Sequence, residues 1–202
     1  MYATEILSSE HRVIEQVLNC LAALVEQGES RGRFDWKSAE QMIDFLRNFA
    51  DGCHHAKEEE QLFPVLEERG FSPEVGPTAV MRSEHQAGRK HVAAMAAAVD
   101  AGLRGDNSRA GQFAEHARAD IELLRQHIQK EDHCLFPMAD RVLSESDQQH
   151  LFSAFEDVEQ APTRAGQHER YLQLANALAD RFDVPRNMDS VAPAAVCCGH
   201  HG

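Results

Sequence analysis

The chain has 202 residues, enough for one good hydrophobic core with a small appendage. It is 43% apolar and 26% charged, and no apolar run approaches the roughly 20 residues that span a bilayer, which excludes a membrane-embedded protein. A formal net charge of −13 and a pI near 5.3 leave no basic face for phosphate backbones, which excludes nucleic acid as a direct partner. Five cysteines, two of them adjacent, do not have the spacing of a disulfide framework, and no basic, apolar leader precedes the first helix. Both features predict a reducing, cytoplasmic location.

In chain order, residues 3 to 28 predict a helix, with Leu7, Ile14, Leu18, Leu21 and Val25 at steps of three and four and His11 on the same stripe. A lone histidine there ordinarily reads as a satisfied core residue. Residues 28 to 33, from Gly28 to Arg33, predict a loop. A second helix is expected over 37 to 68, where the stripe runs Ile43, Leu46, Ala50, His54, Glu58, Leu62, Val65. An ionised glutamate among such residues costs several kcal/mol unless a cation or strong hydrogen bonds compensate it. His55 and Glu59, about 100° round the axis, are expected to face solvent. Pro64 removes the helical bond to the Glu60 carbonyl and predicts a kink.

The turn-rich stretch from Gly70 to Pro77 leads to a third helix over 78 to 103, striped by Met81, His85, Gly88, Val92, Met95 and Val99. Gly88 in a helix interior implies either a close helix approach or an open pocket beside His85. Arg89 falls one turn from His85, as an anion partner or as a solvent-facing residue, while His91 lies 240° away and off the site. A fourth helix is expected over 109 to 143, with Phe113, Ala117, Leu124, His127, Glu131, Leu135, Met138 and Val142 inward. His116 reads as structural, His133 as off the face, and Arg47 and Asp120 as possible buried partners of one another. Ser146 is expected to cap a short helix ending near Glu159, followed by an amphipathic helix over 166 to 182. His150 and His168 read as surface residues, and the segment 186 to 202, ending Cys197-Cys198-Gly199-His200-His201-Gly202, as a flexible tail.

The chain contains an internal repeat. His54-His-Ala-Lys-Glu58 through Leu62-Phe63-Pro64 returns as His127-Ile-Gln-Lys-Glu131 through Leu135-Phe136-Pro137 at an offset of 73. Ser9-Glu10-His11 returns as Ser83-Glu84-His85 at an offset of 74. On a helix, a histidine and a glutamate four apart stand about 6 Å apart along the axis and about 40° round it, within reach of one cation. His11 and His54 are each about 17 residues from their shared turn, and His85 and His127 each about 18, so antiparallel helices bring all four to one level.

In this pattern of His, His-x-x-x-Glu, His, His-x-x-x-Glu the chain resembles the hemerythrin-like (HHE cation-binding) domains over roughly residues 3 to 143. The resemblance implies an all-α, up-down-up-down four-helix bundle over residues 1 to 145, with a C-terminal helical extension over 146 to 185. It further implies a non-haem di-iron centre of two iron ions held by His11, His54, Glu58, His85, His127 and Glu131. Glu58 and Glu131 would bridge the ions. Mixed imidazole and carboxylate ligation by itself suits iron, manganese or zinc; the resemblance selects iron.

Oxygen-carrying members of the family take two histidines four apart from helix three, and this chain has Arg89 where the second would fall. The expectation is therefore a symmetric centre that binds or reacts with nitric oxide, dioxygen or hydrogen peroxide in stress or iron homeostasis, with a redox partner that the sequence does not name. Two other classes fit the same residues: an iron- or redox-sensing module, and iron storage or delivery, neither with turnover. An enzyme consumes peroxide or nitric oxide catalytically, whereas a sensor binds once.

Overall fold

The computed structural model describes residues 2–160 and 166–187, and among these it is all-helical. In chain order the elements are α1 (Ala3–Arg31), α2 (Trp36–Phe45), two π-helical stretches π1 (Leu46–His55) and π2 (Glu58–Leu62), and α3 (Phe63–Glu68). After a turn come α4 (Pro77–Leu103), α5 (Ala110–Lys130), a third π-helical stretch π3 (Glu131–Leu135), α6 (Phe136–Val142), α7 (Glu145–Gln160) and α8 (Gln167–Phe182). None of these helices is long and apolar enough to cross a membrane. The Cys/His-ended tail lies outside the described residues.

The helix predicted to stop at Gly28 continues to Arg31 and ends on Gly32, whose φ of 66° supplies the left-handed cap. Gly28 stays helical because the Phe34 ring packs where a side chain would stand; a Cβ there would lie 2.5 Å from it. Gly102 likewise gives its space to the ring of Trp36, which stacks with Phe34 and meets Phe113 edge-on. Helix α7 is capped by Ser144 rather than Ser146. The Asp147 carboxylate accepts from the Ser144 N–H at 2.8 Å, and the Ser144 hydroxyl accepts from the Asp147 N–H at 3.2 Å.

Residues 36–68 and 110–142 are helical without a break, but π1, π2 and π3 are wider than α-helix. An i→i+5 turn takes up more residues than an α turn, so every later side chain is turned back around the axis. Beyond the sites of widening the predicted stripe therefore fails. Phe63 and Leu66 are buried where Val65 was expected, and Phe136 and Ala139 are buried while Met138 and Val142 are 38% and 39% exposed. Pro64 and Pro137 sit in the first turn of the α-helix that resumes after π2 and π3, where a missing N–H is tolerated.

Two apolar clusters form the core. One contains Val13 to Val25 of α1, residues 36–50, Met95 to Val99 and Phe113 to Ile128, with Tyr171 and Leu178 of α8 packed in. The other contains Ala3, Leu7, Leu62, Phe63, Leu66, Met81, Leu135 and Phe136, closed by Leu151 and Phe155 of α7. In each of the four long helical stretches the switch from one cluster to the other falls at His11, His54 to Glu58, His85 and His127 to Glu131. A polar layer thus separates the two halves of the core.

Candidate metal centre

The six side chains predicted from the repeat are together in that layer, each with 1% exposure or less. His11 and His54 face one another with Nε2 atoms 3.1 Å apart, and His85 and His127 do the same at 3.1 Å. Glu131 stands between the hairpins, its Oε2 3.2 Å from Nε2 of both His11 and His127. Glu58 does so from the opposite side, at 3.6 Å from His54 and 3.4 Å from His85. These oxygens are close enough for charge attraction, yet none is aligned as a hydrogen bond, and all four are buried. Four buried carboxylate oxygens without a hydrogen-bond partner, on two glutamates that face four imidazoles, are what a shared cation would satisfy.

Each imidazole uses its second nitrogen on an outer carboxylate. His11 Nδ1 bonds Asp132 at 2.8 Å, His54 Nδ1 bonds Glu10 at 3.0 Å, His85 Nδ1 bonds Glu59 at 2.6 Å and His127 Nδ1 bonds Glu84 at 3.0 Å. Such bonds fix the tautomer and aim Nε2 inward. Lys57 and Lys130 in turn hold Glu10 and Glu84. The rings of His11 and His85 lie over Phe136 and Phe63, which explains the repeated Leu-Phe-Pro. These groups repeat with the six core residues: Glu10 with Glu84, Lys57 with Lys130, Glu59 with Asp132. The same offsets of 73 and 74 relate these pairs in the sequence, a signal the sequence reading did not use, and Glu59 was assigned to solvent.

The carboxylates also set the charge state. Burial opposes a proton on His11 and His127, but Asp132 and Glu131 lift His11 to about 9, and Glu131 and Glu84 lift His127 to about 10. Without a cation the cluster therefore favours holding protons, which an entering metal would displace.

Several outer assignments change. His55 does not face solvent: it is buried, its ring stacks on His85 at 3.8 Å, and Asp51 bonds its Nδ1 at 3.3 Å. Widening in π1 turns it inward. Arg89 pairs with Asp51 and Glu59, and so reaches the site through carboxylates, Glu59 behind His85 and Asp51 behind His55. His168 is half-buried against Phe49, with Nε2 3.6 Å from Glu10. His91 and His116 pair with each other at 3.0 Å away from the centre, and His133 and His150 are exposed. A further acidic group, Glu10, Glu159 and His168, encloses the ammonium of Lys57, which already supplies its positive charge.

Arg47 and Asp120 do not pair. Arg47 is exposed, while Asp120 is fully buried and neither of its oxygens has a hydrogen-bond partner. Both line a cavity of about 180 Å³ with Leu46, His55, His85 and Gly88, the second of the two alternatives that Gly88 offered. Burial alone pushes the Asp120 carboxyl up to about 7. Since the unfolded value is about 3.9, the native state holds the extra proton between these limits, and stability falls as pH rises from about 4 to 7. Replacing Asp120 by Asn should therefore raise the melting temperature at pH 8, by up to roughly 4 kcal/mol of stability, and change little at pH 4. Equal effects at both pH values in thermal melts would contradict it.

Fold and site together define a class: an all-helical protein with a buried histidine–glutamate cluster of cation-binding composition. The family model described as hemerythrin HHE cation binding domain matches residues 2–139, and the chain belongs to that family. Uncharacterized proteins of Mycobacterium tuberculosis (strain ATCC 25618 / H37Rv) and Mycobacterium bovis (strain ATCC BAA-935 / AF2122/97) are each 27% identical to it over 157 residues. That is 78% of this chain and 61% of theirs, so the chain spans about three fifths of the length of these relatives. No solved structure matches.

Proposed function

We propose that the four long helical stretches act as an up-down-up-down four-helix bundle that holds two iron ions and binds or reacts with a small ligand: nitric oxide, dioxygen or hydrogen peroxide. The observation that carries this reading is the set of buried, unpaired oxygens on Glu58 and Glu131, each carboxylate facing one imidazole of each hairpin. His11 and His54 would hold one ion, His85 and His127 the other, with both glutamates shared. The ions would supply redox chemistry and coordination positions that protein groups do not fill. The chain's own contribution is to keep the layer dry between two apolar clusters, to orient four imidazoles through Glu10, Glu59, Glu84 and Asp132, and to accept or release protons as cations leave or enter.

Metal analysis of the purified protein, with its optical spectrum before and after dioxygen, peroxide and nitric oxide, tests the reading. Two irons per chain and a ligand-dependent spectrum are expected; an iron-free protein, or a spectrum indifferent to all three, would refute it. A sensing role without turnover has one observation in its favour. Glu10, which holds His54, is connected through Lys57 to Glu159 of α7 and directly to His168 of α8, so the centre touches the C-terminal helices. Sustained consumption of peroxide or nitric oxide would favour the enzyme, and a single binding event the sensor.

A further inference from the structure

The repeat is broken at one position that touches the centre. His55 corresponds, at the offset of 73, to Ile128. Both are buried, at 5% and 1% exposure, so the difference is not between an inner and an outer residue. Around it the two halves agree in kind: Glu10 and Glu84, Lys57 and Lys130, Glu59 and Asp132 make the same contacts. The imidazole is thus an addition to one half only.

Its surroundings are those of a ligand. The ring lies 3.8 Å from that of His85 and 5.8 Å from that of His127. Its Nδ1 is taken by Asp51, itself held by Arg89, the same arrangement of imidazole, carboxylate and cation found behind His54 and His127. One nitrogen or oxygen from each of His55, Glu58, His85 and His127 lies within 4.8 Å of the others, close to the span of about 4.2 Å that one ion with ligands at about 2.1 Å sets, so the side chains would draw in on binding. The matching group on the other side, His11, His54, Glu58 and Glu131, contains no third imidazole.

Resting on the di-iron reading above, we infer that His55 is a third imidazole ligand of the ion held by His85 and His127, which makes the two metal positions unlike. The ion beside His11 and His54 then keeps more positions open than its neighbour. A purely packing role for His55 predicts two equivalent ions instead.

Mössbauer spectroscopy of the full chain loaded with isotope-enriched iron separates the two. The native protein should show two quadrupole doublets of equal area. His55→Ile, which copies Ile128, and His55→Phe, which keeps a ring against His85, should each merge the doublets or lose one of the two irons. A single doublet in the native protein, or two doublets unchanged in either folded variant, overturns the assignment while leaving a two-iron centre in place. Fewer than two irons in the native protein overturns both this assignment and the di-iron reading.

Discussion

Replacing Glu58 or Glu131 by Gln is expected to lower iron affinity by at least 10- to 100-fold and to abolish the spectral response to peroxide and nitric oxide. Each carboxylate faces imidazoles from both hairpins, so on the two-iron proposal one substitution would remove a negative ligand from both ions rather than from one. Replacing even an outer partner of a metal ligand commonly costs that factor. The amide would also remove charge that, on the same proposal, compensates two dications in an apolar layer. Stability should respond in step: iron at a thousand times its dissociation constant adds about 4 kcal/mol to the native protein, and the variants should lose that increment. Iron-to-protein ratio and melting temperature, each with and without chelator, check the result. Replacing exposed His133 or the distant His91 should change neither, and unchanged iron in the Glu58 and Glu131 variants would remove the centre as proposed.

Replacing Lys57 by Met is expected to destabilise the fold by about 3–5 kcal/mol, a fall on the order of 10 °C in melting temperature. The Lys57 ammonium has no exposure and lies 2.5 Å from both Glu10 and Glu159, over the ring of Phe155. Burial opposes charge on Lys57, but Glu10, Cys53 and Glu159 together overcome it and hold the ammonium above the usual lysine value. Without Lys57, Glu10 keeps a buried carboxylate bonded only to imidazoles, and the orientation of His54 loosens with it. Lys130, its counterpart, is 42% exposed beside Glu84, so Lys130→Met should cost about 1 kcal/mol or less. Thermal melts of the two variants side by side test the contrast, and equal small losses would show that burial does not set the strength of the Lys57 pair.

Helix number, the internal repeat and the meeting of His11, His54, Glu58, His85, His127 and Glu131 were all legible in the sequence. Each follows from local periodicity combined with residue counts to a shared turn, and counts along antiparallel helices translate directly into height. What local periodicity misplaced was rotation about the axis. The run Leu46, Ala50, His54, Glu58, Leu62 steps by four throughout, which on an α-helix drifts about 40° per step and cannot stay on one face. The uninterrupted fours were the trace of the widened turns, visible once π1 and π2 are known.

The sequence by itself determined the helices, the repeat and the residue types at one level of the core, because these depend on spacing along a single chain segment. Only the tertiary structure decided which neighbours were turned inward. His55 joined the centre, Glu59 and Asp132 became partners of imidazoles across the helix interface, and Met138 and Val142 moved outward. It also left Asp120 unpaired beside a cavity and buried Lys57 beneath α7. The reason is physical: a π turn adds a residue without changing the composition, and an ion pair between distant segments has no period. Such choices are made by packing one helix against another.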